Sequence, residues 1–168
     1  MAAPNIRTLL DFETNVETAA KTFLEADTGL SASSIFASLD QDNLVLPRIS
    51  VMFELGEAID PVDLKETGST EFEYRKYTGT LNIIITSDGS TDGSQTDHRN
   101  HRADVRASML LNADNFTASD GEGGTLLPYY DVNYMRPTGT TFEMDEDLAI
   151  STLSYQINLV IRNDAWPS

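Results

Sequence analysis

From Ala149 to Arg162 the chain alternates without a break. Leu153, Tyr155, Ile157, Leu159 and Ile161 fall on one parity; Thr152, Ser154, Gln156, Asn158, Val160 and Arg162 fall on the other. Side chains along an extended strand point to opposite faces in turn, so this period of two makes one apolar face and one polar face. No helix gathers those five apolar residues on one side. The pattern predicts a long antiparallel strand with one face in a core. Its polar face carries hydroxyls and amides and a single charge, Arg162. Such a face suits water, a neighbouring subunit or a polar channel.

Two further segments carry the same signature. Across Pro47–Leu55, Ile49, Val51, Phe53 and Leu55 share a face opposite Arg48, Ser50, Met52 and Glu54. Across Glu71–Thr86 the apolar parity changes, from Phe72 and Tyr74 to Tyr77, Leu81, Ile83 and Ile85. A slip of one residue moves an apolar set across a sheet, so a bulge or sharp twist is expected near Arg75-Lys76. At ~3.3 Å per residue this strand would reach about 50 Å, and its N-terminal half is expected to project as an arm.

Asn5–Glu25 predicts an amphipathic helix. Ile6, Leu9, Leu10, Val16, Ala20, Phe23 and Leu24 recur at three and four, and Asp11, Glu13, Glu17 and Lys21 lie opposite, with Glu17 and Lys21 spaced for an ion pair. Pro4 suits its first turn and Gly29 its end. Ile35 and Phe36 mark a short apolar turn. A second helix is expected from His98 to about Asn112, capped by Thr96 or Asp97, with Val105, Met109 and Leu110 buried. Tyr129–Arg136 and Thr140–Met144 are expected as strands joined by a turn at Pro137-Thr138-Gly139. Polar connections are expected over 56–70, 87–97 and 113–124, and Asp145-Glu146-Asp147 as an acidic turn. The order α-β-β-α-β-β-β describes a single α+β domain over residues 1–168: an antiparallel sheet of about five strands, two helices packed on one face, and long projecting loops or an arm.

Charge limits the function classes. Twenty-seven acids against 11 basic residues give a formal net charge of −16, which repels nucleic acid on average. It suits solubility, or a surface past which DNA slides without sticking. No cysteine is present, which removes disulfides and thiol chemistry. No apolar run approaches the ~20 residues of a membrane-spanning helix, and Met1-Ala2-Ala3-Pro4 leads straight into a polar helical segment rather than a signal peptide.

Candidate chemistry is sparse. His98 and His101 share a helix face, and Asp97 or Asp104 would complete a metal set, but Arg99 and Arg102 flank them and disfavour a cation. The carboxylate pairs (Glu54 with Glu57, Asp60 with Asp63, Asp145 with Asp147) lack the fixed separation that acid–base catalysis needs. Gly121-Glu122-Gly123-Gly124 lacks the strand and lysine of a phosphate loop. The better signal is Arg99, Arg102 and Arg106, which recur at three and four along one helix edge. In so acidic a chain they suit carboxylates, either within the chain or on a neighbour.

Together, the N-terminal helix, the strand around Pro47-Arg48-Ile49-Ser50-Val51, the Tyr77-x-Gly79-x-Leu81-x-Ile83 strand, the arginine-bearing helix and the long closing strand resemble the tail terminator proteins of long-tailed bacteriophages. The resemblance covers most of the chain by order of elements. Head–tail connector and neck proteins share the outline. It implies a structural virion protein, without catalytic residues, metal or cofactor. That protein forms a hexameric ring that caps the tail tube and joins it to a head connector or stopper, with DNA passing through unbound. The expected place is the virion head–tail junction, after assembly in the host cytoplasm and away from membranes. A ring built by unlike contacts needs two complementary patches per subunit. Arg99, Arg102 and Arg106 are one candidate; Glu57, Asp60, Asp63 and Glu66, with Arg75 and Lys76 nearby, are the other. Alternatives are a neck, stopper or tail-tube subunit, and, from another class, an acidic α+β enzyme or small-molecule binding module.

Overall fold

A computed structural model describes residues 6–37, 45–60, 74–113 and 130–162. In chain order the elements are α1 (Ile6–Asp27), β1 (Ile35–Ala37), β2 (Arg48–Asp60), β3 (Tyr74–Asp88), α2 (Asp92–Leu111), β4 (Tyr130–Asp145) and β5 (Leu148–Arg162). The strands form one sheet in the order β1-β2-β3-β5-β4. β1 runs parallel to β2 and every other pairing is antiparallel. The fold is α+β, with two helices and five strands.

β3 and β5 form its centre. Their register runs unbroken from Tyr74 opposite Arg162 to Asp88 opposite Leu148. This sets Leu81 beside Tyr155 and Ile83 beside Leu153. β2 adds Ile49, Val51 and Phe53 to the same face, opposite Ile85, Ile83 and Leu81. Onto that face pack Val16, Ala19, Ala20 and Leu24 of α1 and Val105 and Met109 of α2, all in one core. Each buried Leu, Ile or Phe contributes about 1.5–3 kcal/mol relative to exposure, so the one-sided core is the main stabilising term. The ring of Phe53 lies where a β-carbon at Gly79 would sit, so only glycine fits between β2 and β5 at that point. Gly29 ends α1 in the left-handed region at φ 68°.

Several local expectations shift. No bulge interrupts β3 at Arg75-Lys76; the register shifts lie opposite, in β2, between Leu55 and Ala58 and between Ala58 and Asp60. β3 is paired on both sides, so an extra residue there would disrupt two ladders. In β2 beyond Val51 it disrupts one. Pro137-Thr138-Gly139 is not a turn. β4 runs through it as one strand of 16 residues, with a register shift between Pro137 and Gly139. β4 is an edge strand, where proline's missing N–H costs no ladder bond. The apolar pair Ile35-Phe36 is strand β1, and the strand order is therefore α-β-β-β-α-β-β. α2 starts at Asp92 rather than His98, and Leu110 is exposed.

α1 also departs from its expected charge pattern. The described part of β1 ends at Ala37, opposite Val51, and among the described residues no strand pairs with the outer edge of β2 beyond that point. Glu17 Oε1 accepts the Phe53 N–H at 2.9 Å and Glu13 Oε1 accepts the Leu55 N–H at 3.0 Å. Four residues of helix rise about 6 Å and two of strand about 6.7 Å, so an i,i+4 carboxylate pair matches two outward amides of an edge strand. Such a cover blocks the edge to foreign strands. Lys21 pairs with Glu25 at 3.5 Å, not with Glu17. Pro4, Phe72 and Gly121-Glu122-Gly123-Gly124 lie outside the described residues, as do the side chains of Ile6, Leu9 and Leu10.

Ile157 is fully buried, opposite Gly79. Ile157→Asp places an unpaired charge in the core and is expected to abolish the cooperative unfolding transition seen by circular dichroism. A folded variant of unchanged midpoint would place the residue outside the core.

Candidate functional site

α2 is fixed at its start by its own sequence. Thr91 Oγ1 accepts the Ser94 N–H at 3.1 Å, and Ser94 Oγ accepts the Thr91 N–H at 3.0 Å, a reciprocal cap inside a Ser/Asp/Gly-rich segment. At its other end Asp27 of α1 accepts from Ser108 Oγ at 2.8 Å and Asn112 Nδ2 at 2.7 Å, tying the two helices together. His98, Val105, Ser108 and Met109 face inward.

The arginines run along the flank of α2 that faces β4. Arg106 donates to Thr140 Oγ1 at 2.9 Å and edges an apolar cleft of about 240 Å³ lined by Met109, Met135, Pro137, Leu153 and Tyr155. Arg99 and Arg102 edge a second cleft, of about 160 Å³, with Phe142 and Ala149. Among the described residues none of these three arginines forms an ion pair, whereas Lys21 and Glu25 do. The clefts exist because α2 stops short of the sheet's edge. Phe142 and Met144 lie opposite Ser151 and Ala149, on the core side of the sheet, yet stay 52% and 43% exposed.

His98 is the buried polar centre of this region. Its Nδ1 lies 2.6 Å from Ser87 Oγ and its Nε2 2.7 Å from Ser151 Oγ, and its ring tilts against Phe142 at 5.7 Å. The imidazole is 1% exposed, with Ser151 at 0% and Ser87 at 5%. Both ring nitrogens are taken, so His98 has none left for a metal, and neither hydroxyl is placed to meet a substrate. This is a packing network that holds α2 to β3 and β5. Among the described residues no cluster of three or more metal-ligating side chains forms.

Among the described residues no helix packs on the opposite face of the sheet. There the polar side chains bond to one another: Ser154 Oγ donates to Asn82 Oδ1 at 2.7 Å, Thr78 Oγ1 to Asn158 Oδ1 at 3.4 Å, and Arg136 Nε and Nη2 to Gln156 Oε1 at 3.1 and 2.9 Å. Amides and hydroxyls are knitted together at its centre, with Arg48, Glu54, Arg136 and Glu143 on the flanking strands.

Of the residues singled out in the sequence, Arg99, Arg102 and Arg106 do form one row. Glu57 and Asp60 lie in β2, and Arg75 and Lys76 in β3, with Asp60 opposite Lys76 at the far end of the sheet. Asp63 and Glu66 lie outside the described residues. The sequence reading missed His98 as a core residue. Its spacing of seven from Val105, with Met109 and Asn112 following at four and three, carried that signal.

No protein-family model matches this chain, and no curated protein matches it by sequence. Among solved structures, a chain from one described as "Virion of native gene transfer agent (GTA) particle" is similar, with a TM-score of 0.51 and 13% sequence identity. The match covers 90% of this chain and 94% of that one. At that identity the likeness is one of fold. No helix of the described residues is long and apolar enough to cross a membrane.

Burial holds the His98 pKa below its ordinary value of 6.5, with Arg102 and His101 adding repulsion. The folded state therefore binds this proton less readily than the unfolded chain. The stability this contributes is present in full above pH 6.5 and is lost as pH falls through the lowered folded value. Glu17 acts oppositely and lower on the scale. Desolvation raises its pKa above 4.5 against the opposing Phe53 N–H bond, with Glu13 repulsion assisting. Its contribution is present below pH 4.5 and is lost as pH rises through the raised value. Urea midpoints are expected to fall between pH 7 and 5.5, and His98→Gln to flatten that slope. An unchanged slope would show that His98 titrates as freely in the fold as out of it.

Proposed function

We propose that this chain is a structural protein of a virion, and that copies of it form a ring, hexameric in the resemblance to tail terminators, which caps a tail tube and meets a head connector. The observation that carries the reading is the fold shared over nearly the whole length with a chain of a gene transfer agent virion. The surface chemistry supports it. A ring of unlike contacts needs two different patches on each subunit, and the arginine-edged clefts supply one that no described carboxylate satisfies. The sheet face away from α1 and α2, knitted at its centre from amides and hydroxyls, suits a channel wall. With a net charge of −16 per chain, such a wall lets DNA pass without holding it. The partners are other copies of the chain, a tail tube protein and a connector or stopper, and the place is the virion.

Light scattering on purified protein is expected to give a hexamer, or a monomer that assembles when tail tubes are added. Electron microscopy is expected to place labelled protein at the head–tail junction. Arg102→Glu is expected to weaken assembly while leaving the thermal midpoint nearly unchanged, since its side chain has no ion pair to lose within the described chain. A monomer that never associates with tubes would overturn the ring. Label elsewhere along the tail would make the chain a tube or stopper subunit instead. An Arg102→Glu variant that assembles normally but loses stability would mean the arginine serves its own subunit.

A further inference from the structure

Among the described residues, the large apolar side chains that stay exposed occupy two places. Phe142, Met144 and Leu110, at 52%, 43% and 81% exposure, lie along the α2–β4 flank, and Leu111, at 72%, lies at the end of α2. Val45 and Leu46, at 41% and 43%, lie at the entrance to β2, on the opposite flank. The two places stand at the same level. One row crosses the sheet from Arg48 through Thr86 and Ile150 to Glu143. Val45 and Leu46 are separated from Arg48 by Pro47 alone, and Phe142 and Met144 flank Glu143.

The flanks also differ in charge and in closure. The α2–β4 flank presents Arg99 and Arg102 beside Phe142, and among the described residues no strand pairs with the outer edge of β4. The β1–β2 flank carries Glu13 and Glu17 on the β2 edge, with Glu54 exposed in β2. An arginine row without ion-pair partners among the described residues, beside an apolar strip, is complementary to an acidic surface with apolar residues of its own. Its opposite flank is such a surface.

We infer that copies of this chain join flank to flank, the Val45-Leu46 corner of one seating against Phe142 and Met144 of the next, with Arg99 and Arg102 meeting carboxylates of the neighbour's α1–β2 side. This deepens the ring reading and rests on it for the closed circle; the pairwise contact stands without closure. It is a heterologous contact, so neither patch meets itself. A two-fold contact centred on the Phe142–Met144 end of β4 would instead bring Met144 close to its own copy.

The absence of cysteine makes the contact directly testable. Leu46→Cys and Met144→Cys are prepared separately, mixed in equal amounts and treated with a short bismaleimide at high protein concentration. The mixture is expected to give a cross-linked heterodimer at about tenfold the yield of a Leu46→Cys and Asp97→Cys control mixture, because a specific contact raises the local thiol concentration. Each variant alone is expected to give only control levels of dimer, and the double variant a ladder. A dimer from Met144→Cys alone would show a two-fold contact and overturn the inference. So would a mixture no better than control, even if light scattering shows a ring; the ring would then close through other surfaces. A strong heterodimer without any closed oligomer leaves the contact in place and removes the ring.

Discussion

The pairing of β3 with β5 is the constraint from which the rest follows. Fifteen consecutive residues of each strand are held in one register, without a slip, so every apolar residue on one parity emerges on the same side. A single-residue shift would turn Leu81, Ile83, Leu153 and Ile157 outward together. That side must be covered, and two helices cover it. α1 lies over β1 and β2, and α2 over β3 and β5. The other side carries serine, threonine, asparagine and glutamine along its centre, several of them bonded to one another, with charged residues on the flanking strands.

Two helices do not span five strands. α2, tied to the sheet through His98 between Ser87 and Ser151, cannot slide outward over β4 without breaking a buried network. The consequence is a strip of core-facing side chains on β4 that the subunit itself leaves exposed, beside arginines without ion-pair partners among the described residues. The opposite edge is treated differently: two carboxylates of α1 close it. One flank thus sets an arginine row beside open apolar side chains, and the other is covered by carboxylates of α1. The proposed head-to-tail assembly needs two unlike patches of this kind on each subunit.

The alternation of β2, β3 and β5 was legible in the sequence because the two faces of a strand are set by neighbouring residues alone. The α+β class followed from it. What escaped depended on distant partners. Glu13 and Glu17 looked like solvated helix residues because the amides they bind lie 42 and 36 residues away. Pro137-Thr138-Gly139 carries the chemistry of a turn and of an edge-strand bulge alike, and only the presence of β5 alongside decides between them. Leu110 fell on the expected apolar stripe, yet it borders the open cleft between α2 and β4 and stays exposed. The arginine row could be seen as a row. That it lacks a described carboxylate partner, and that it borders Phe142, emerged only when β4 was placed.

Hydrogen–deuterium exchange, compared between assembled protein and dissociated subunits, tests the central claim most directly. If the open flank is an intersubunit surface, exchange slows on assembly at the β4 amides and around Val45–Arg48, while the interior ladder of β3 and β5 changes little. Assembly that leaves β4 exchanging at its free-subunit rate, with protection elsewhere, would contradict it.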